Sequence, residues 1–167
     1  LWTPCPLTGW QGYTAGSAAS GPTLLTEQAT TSGTTKDFTI PAGAKRITIM
    51  LSGVSNNNAT GTFGVQLGDA GGVETTGYVS YFSPGGTTSS TQLLVADQVA
   101  AANLSYGHIL LTRMNSSHKW VSSSTIYNDT GNIYSGAGEK TTSSELTTVR
   151  FLTSATFDAG AVNVMWE

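Results

Sequence analysis

From residue 36 onward, short stretches of alternating apolar and polar residues are separated by turn sequences rich in Gly, Asn, Asp and Pro. The clearest stretch is residues 45–54, in which Ile47, Ile49 and Leu51 share one face and the intervening residues share the other. About nine such stretches recur at roughly 10- to 15-residue intervals. This spacing predicts an all-β fold, either a β-sandwich or a barrel, and of the two we expect an antiparallel β-sandwich of jelly-roll type over residues 36–167.

The alternation also assigns residues to the interior of the sandwich. Residues 62–68 and 73–82 flank the turn 69–72 and predict a hairpin. Trp120, in the middle of a strand, is expected to fill the core or to pack against another subunit instead of binding a ligand. Residues 96–104 are the only plausible helix, of one or two turns, and residues 136–144 are expected to form a polar loop. The predicted inward residues are Ile47, Ile49, Leu51, Phe63, Val65, Leu67, Val149, Phe151, Val162 and Val164.

Residues 1–35 show no sustained period and contain three of the five prolines. They are predicted to form an extended arm or linker before the sandwich. Trp2 and Trp10 lie on this arm, and we expect them to dock on the domain or on a neighbouring subunit, because exposed tryptophans are costly.

Charge is scarce along the whole chain. Only 10% of the residues are charged and the net charge is -3, while 27 Thr and 19 Ser supply hydroxyls. Seven scattered cations do not make a nucleic-acid-binding surface. No apolar stretch is long enough for a membrane span. Cys5 is the single cysteine and therefore forms no internal disulfide. A surface with so few charges predicts burial against other subunits, unless the hydroxyls alone solvate it.

No catalytic or metal-binding motif is present. His108 and His118 lack zinc-ligand spacing and are expected to be surface polar residues, and no hydrolase nucleophile pattern occurs, so neither an enzyme nor a cofactor is predicted. Asp69 and Glu74 flank the glycine-rich turn and are expected to be solvated turn acids, with a Ca²⁺ site as the alternative.

Aromatic residues near turns are the remaining candidates for recognition. Flat rings stack against the C–H groups of sugars while Ser, Thr and Asn bond the sugar hydroxyls. Core filling or subunit packing is the alternative for each ring. The predicted receptor-binding residues are Tyr78, Tyr81, Phe82, Tyr127 and Tyr134.

Three separated blocks resemble segments that recur, in the same order, at the C-terminus of phage and prophage tail-fibre proteins. They are DFTIPAGAKRITIMLSGVS at 37–55, VQLGDAGGVETTGY at 65–78 and FDAGAVNVMWE at 157–167. The resemblance implies a structural virion module, assembled in the bacterial host cytoplasm as a homotrimer with β-rich distal domains. It assigns no binding residue.

Together these observations predict a non-enzymatic, trimeric fibre tip that adheres to a host-surface receptor, a glycan, and contacts other virion proteins. Small, weakly polar side chains on the outward strand faces suit a subunit interface of more than about 1,000 Å² per contact. Two alternatives remain open, a capsid-decoration or fibre-capping trimer that binds only virion proteins, and a carbohydrate-binding module of a depolymerase. The outward residues expected at the subunit interface are Thr48, Met50, Ala161, Asn163 and Met165.

Overall fold

The structure is a computed structural model that describes residues 21–101, 103–114 and 117–167. Two antiparallel β-sheets pack face to face, and no helix occurs within those ranges, so the predicted all-β sandwich is confirmed. The strands are β1 Thr23–Leu24, β2 Gln28–Ala29, β3 Thr35–Thr39, β4 Arg46–Asn56, β5 Gly61–Asp69, β6 Gly72–Val73, β7 Tyr78–Ser83, β8 Thr87–Ser89, β9 Leu93–Val99, β10 Ser105–Arg113, β11 Lys119–Asn128, β12 Ile133–Thr141, β13 Thr148–Thr153 and β14 Phe157–Trp166.

The larger sheet has the order β1-β14-β4-β10-β11-β12-β7-β8, with β2 also pairing β14, and its strands β10 to β12 form a meander. The smaller sheet has the order β3-β13-β5-β6, with β9 also pairing β5. The jelly-roll connectivity stays a prediction. Of the predicted arm, residues 1–20, with Trp2 and Trp10, lie outside the described residues, whereas β1 and β2 pair with the last strand.

Every residue assigned to the core by alternation is buried, as is Trp120. Period-2 patterning settles which side chains point inward once one face of a strand is apolar. Phe63, Phe151 and Phe157 form an aromatic cluster in the middle of the sandwich, with ring centroids 5.5 to 6.1 Å apart. The rigid core therefore holds the outer face of the larger sheet in a fixed shape.

The predicted helix is wrong, because its first residues belong to strand β9. Leu93 to Ala96 are all buried, and β9 pairs with β5 while Leu94 N–H donates to the Ser80 hydroxyl of the other sheet at 2.8 Å. A one-turn helix is marginal in water, whereas the sheets supply both hydrogen bonds and apolar contacts. Residue 102 lies outside the described ranges.

Two further predictions are corrected by the pairing. Most of the expected polar loop 136–144 is strand β12, whose Gly136 and Gly138 lie close against neighbouring backbone. The expected hairpin return over residues 73–82 pairs with β5 only through β6, and the chain then crosses to the larger sheet as β7. The turn 69–72 itself is found as predicted.

Strand directions distinguish two ends of the sandwich. At one end β4 begins where β14 finishes, with Ile47 opposite Trp166, and the connections 40–45, 70–77 and 142–147 lie there. At the other end Asn56 is opposite Phe157, and the connections 57–60 and 129–132 lie there. We call these the ion-paired end and the asparagine end, for the side chains that each contains.

Candidate functional site

The five aromatic candidates divide sharply by burial. Tyr78, Phe82 and Tyr134 are buried, so their rings offer no face at the surface, which corrects the expectation for these three. Tyr81 and Tyr127 are 53% and 46% exposed. On β7, Tyr78 and Phe82 share the inner face and Tyr81 points outward, because successive side chains alternate between the two faces.

Tyr78 is held by hydrogen bonds rather than left for a ligand. Its phenol oxygen accepts the Leu67 N–H at 2.8 Å, and its hydroxyl donates to the Glu74 carbonyl oxygen at 2.8 Å. Burial raises the pKa of Tyr78 to about 12, so the hydroxyl stays protonated and joins β7 of the larger sheet to β5 of the smaller one.

Phe82 and Tyr134 stack on each other, with ring centroids 5.5 Å apart, between β7 and β12. The Asn128 side-chain amide donates to the Tyr134 hydroxyl at 3.2 Å. These two rings therefore fill the core beneath the outer face, and only Tyr81 and Tyr127 of the five stand above it.

An open groove of about 570 Å³ runs along β7 and β8 on the outer face of the larger sheet. Tyr81 stands in it, and the hydroxyls of Thr88 and Ser90 bond no other described residue. The groove thus combines an exposed ring with unpaired hydroxyls, as sugar recognition requires. Its outward lining consists of Val79, Tyr81, Thr88, Ser89, Ser90 and Ala137.

A second aromatic surface lies on the same face, nearer the asparagine end. Tyr106 on β10 is directly opposite Tyr127 on β11, and Ile133 on β12 is opposite Tyr127. Tyr106 is 38% exposed, and its ring lies beside Gly53 of β4. We call Tyr106 and Tyr127 the tyrosine pair. Tyr106 was missed from the sequence, although it is out of phase with the inward Ile109 and Leu111.

A polar row adjoins the tyrosine pair. His108, Thr125 and Ser135 are exposed and lie opposite one another on β10, β11 and β12. Their side chains form no hydrogen bond with the part of the chain that the structure describes. A ligand lying on the two rings would therefore meet free polar groups beside them.

The two acids of the turn bind the connection 142–147 instead of solvent. The Asp69 carboxylate accepts the Ser143 hydroxyl and the Ser144 N–H, and the Ser143 hydroxyl and the Gly71 N–H lower the pKa of Asp69 to about 2. The structure thus corrects the expectation of a solvated turn acid at Asp69, which is buried.

Glu74 forms an ion pair with Lys140, whose ammonium group also lies 5.2 Å from the centre of the Tyr78 ring. Burial acts to raise the pKa of Glu74, but the hydrogen bonds from Lys140 and Ser143 lower it overall. Within the described ranges no group of three or more His, Cys, Asp or Glu is arranged to hold a metal ion. The alternative of a Ca²⁺ site gains no ligand set from these residues.

The residues predicted for subunit contact lie together at the opposite edge of the same outer face. Thr48 is opposite Met165 and Met50 is opposite Asn163, and all four are half-buried. A smaller groove of about 280 Å³ opens there, lined by Leu24, Glu27, Met50, Leu51, Ser52, Ala161 and Asn163. Strands β10 and β11 separate this edge from the Tyr81 groove.

No protein-family model matches this chain, and neither a curated protein nor a solved structure is significantly similar to it. In the described part of the chain, no helix has the length and apolar character needed to cross a membrane.

Proposed function

We propose that this chain is the distal domain of a phage tail fibre, a non-enzymatic homotrimeric adhesin that binds a host-surface glycan. In this proposal it resides in the virion after assembly in the bacterial cytoplasm. The resemblance of its sequence blocks to tail-fibre C-termini supports the proposal, and the exposed chemistry of the larger sheet supports the choice of a sugar as receptor.

The observation that carries the proposal is the Tyr81 groove. The Tyr81 ring stands above a rigid sheet, and the free Thr88 and Ser90 hydroxyls lie beside it. A tyrosine side chain has only two torsion angles to order on binding, and hydroxyls exchange water for sugar hydroxyls at low cost. The groove is open, as suits part of a long surface polymer.

The trimer is supported by the opposite edge of the same face. Thr48, Met50, Asn163 and Met165 present weakly polar side chains at half-burial, and desolvating them requires no ion to lose its water. Strands β1, β14 and β4 would contact a second copy, leaving β12, β7 and β8 for the receptor.

A glycan array tests the adhesin. The protein is applied to immobilised bacterial surface polysaccharides, and binding is compared for the parent, Tyr81→Ala and Tyr81→Phe. We expect Tyr81→Ala to lose binding and Tyr81→Phe to keep most of it, because the ring supplies the contact. Met114→Ala, which changes an exposed apolar residue at the ion-paired end, is the matched control. Equal binding by Tyr81→Ala and the parent would contradict the assignment of the groove.

Light scattering tests the trimer. We expect the mass of three chains at micromolar concentration, and a smaller mass for Met50→Glu combined with Met165→Glu, which places charges on the proposed interface. A single-chain mass that stays constant over a hundredfold dilution would overturn the trimer.

A further inference from the structure

We infer that the Tyr81 groove and the tyrosine pair are two subsites for one ligand, an uncharged saccharide chain of several units lying across the outer face. This inference rests on the proposed function and specifies its ligand. It names a second binding surface, Tyr106 and Tyr127, and the class of glycan that fits both surfaces.

The strand pairing fixes the spacing between the subsites. Tyr81 is opposite Ala137 on β12, and Ile133, four residues away on the same strand, is opposite Tyr127. Four residues span about 13 Å along a strand, and β7 and β11 lie about 10 Å apart across β12, which gives about 16 Å between the subsites. One monosaccharide does not span that distance, whereas a chain of several units does.

The surface between the subsites is low and polar. Ser123, Thr125 and Ser135 are exposed there, and their hydroxyls bond no other described residue. The larger Tyr81 and Tyr127 side chains rise at either end of this floor. A saccharide chain could therefore stack at both ends and form hydrogen bonds between them.

The charged side chains on this face indicate which class of saccharide it can bind. The nearest cation on this face, Lys119, is 3.0 Å from the Glu139 carboxylate, so its charge is already balanced. Beyond the tyrosine pair the connection 129–132 carries Asp129 and no cation. Apart from the His108 imidazole, a phosphorylated or acidic glycan would find no unpaired cationic side chain among these residues, and we therefore assign a neutral one.

Calorimetry with size-graded fragments tests the two subsites. A neutral polysaccharide to which the protein binds on the array is cut by mild acid into fragments of increasing length, starting from the monosaccharide. We expect affinity to rise with length until a fragment spans both subsites. Tyr106→Ala and Tyr127→Ala should each weaken the longest fragment about tenfold and leave the shortest unchanged, as expected for one lost ring contact.

Each outcome has a distinct meaning. Tyr127→Phe keeps the ring and should bind as the parent does, and circular dichroism should show that all variants fold. If long fragments bind but neither alanine variant of the pair weakens them, the second subsite is overturned and the proposed adhesin stands. If the protein binds only acidic polysaccharides, the assignment of a neutral glycan as the ligand is overturned. Binding of no polysaccharide would overturn the proposed function as well.

Discussion

The two ends of the sandwich are held by different chemistry. Four of the five ion pairs that Lys and Arg form between described residues lie at the ion-paired end, including the Glu74–Lys140 pair that joins residues far apart in sequence. At the asparagine end, side-chain amides bond their own connection, as when Asn128 Oδ1 accepts the Asn132 N–H at 3.0 Å, and also a distant one, as when Asn57 Oδ1 accepts the Thr156 N–H at 3.2 Å. Ion pairs are thus concentrated at one end, while uncharged amides hold the connections at the other.

The two ends are therefore expected to differ in role, with the ion-paired end stabilising the fold and the region near the asparagine end binding the ligand. Long-range hydrogen bonds at the ion-paired end hold the connection 142–147 against Asp69 and Glu74, so a change there should lower the stability of the whole fold. The tyrosine pair lies towards the other end, where side-chain amides hold the connections and few charges compete for a neutral ligand. Three measurements of the free energy of unfolding test this difference between the two ends.

The largest effect is expected from the buried pair Glu74–Lys140. Lys140 is only 5% exposed, so Glu74→Gln leaves an ammonium group without its counter-ion and should lower the free energy of unfolding in urea by about 3 kcal/mol. Lys140→Met in the same chain should restore most of that loss. The exposed pair Arg46–Glu167 is the control, and Glu167→Gln should cost less than about 1 kcal/mol. Equal losses for Glu74→Gln and Glu167→Gln would break the comparison.

The next effect concerns the backbone towards the asparagine end, where β14 pairs irregularly with β4. Gly160 has φ +86° at this bulge, and a Cβ there would collide with the Gly53 carbonyl oxygen. Gly160→Ala should therefore cost about 2–3 kcal/mol in the same urea measurement. Gly131 has φ +93° but open space around it, and Gly131→Ala should cost about 1 kcal/mol. A smaller loss at Gly160 than at Gly131 would show that the close approach carries no cost.

The sequence predicted the core but not the ion-paired end, for a physical reason. Alternation is a local signal, so Ile47 and Phe151 could be placed without knowing their neighbours. Lys140 reads as a loop residue, and its burial depends on Glu74, 66 residues earlier, and on the Tyr78 ring. Nothing local shows that such a partner exists.

Only part of the candidate site could be predicted from the sequence, for a related reason. Strand β7 carries aromatics on both faces, Tyr78 and Phe82 on one and Tyr81 on the other, so pattern alone does not say which face meets the core. On β10 the inward phase was clear from Ile109 and Leu111, and it would have placed Tyr106 outside. The pairing of Tyr106 with Tyr127 required the register of the sheet.

The smallest effect is a dependence on acid that only the ion-paired end should show. The hydrogen bonds of Asp69 lower its pKa to about 2 from an ordinary 3.8, so the folded state favours the carboxylate. The stabilisation is fully present above the unfolded value and is lost as pH falls towards about 2. Asp69→Asn removes this titration. The difference in unfolding free energy between parent and variant should be constant above about pH 5 and shrink below it. Ser143→Ala, which removes the hydroxyl that contributes most to the shift, should behave likewise. Two differences that stay constant down to pH 2 would mean that Asp69 does not sense its partners, and the ion-paired end would then owe its stability to the Glu74–Lys140 pair instead.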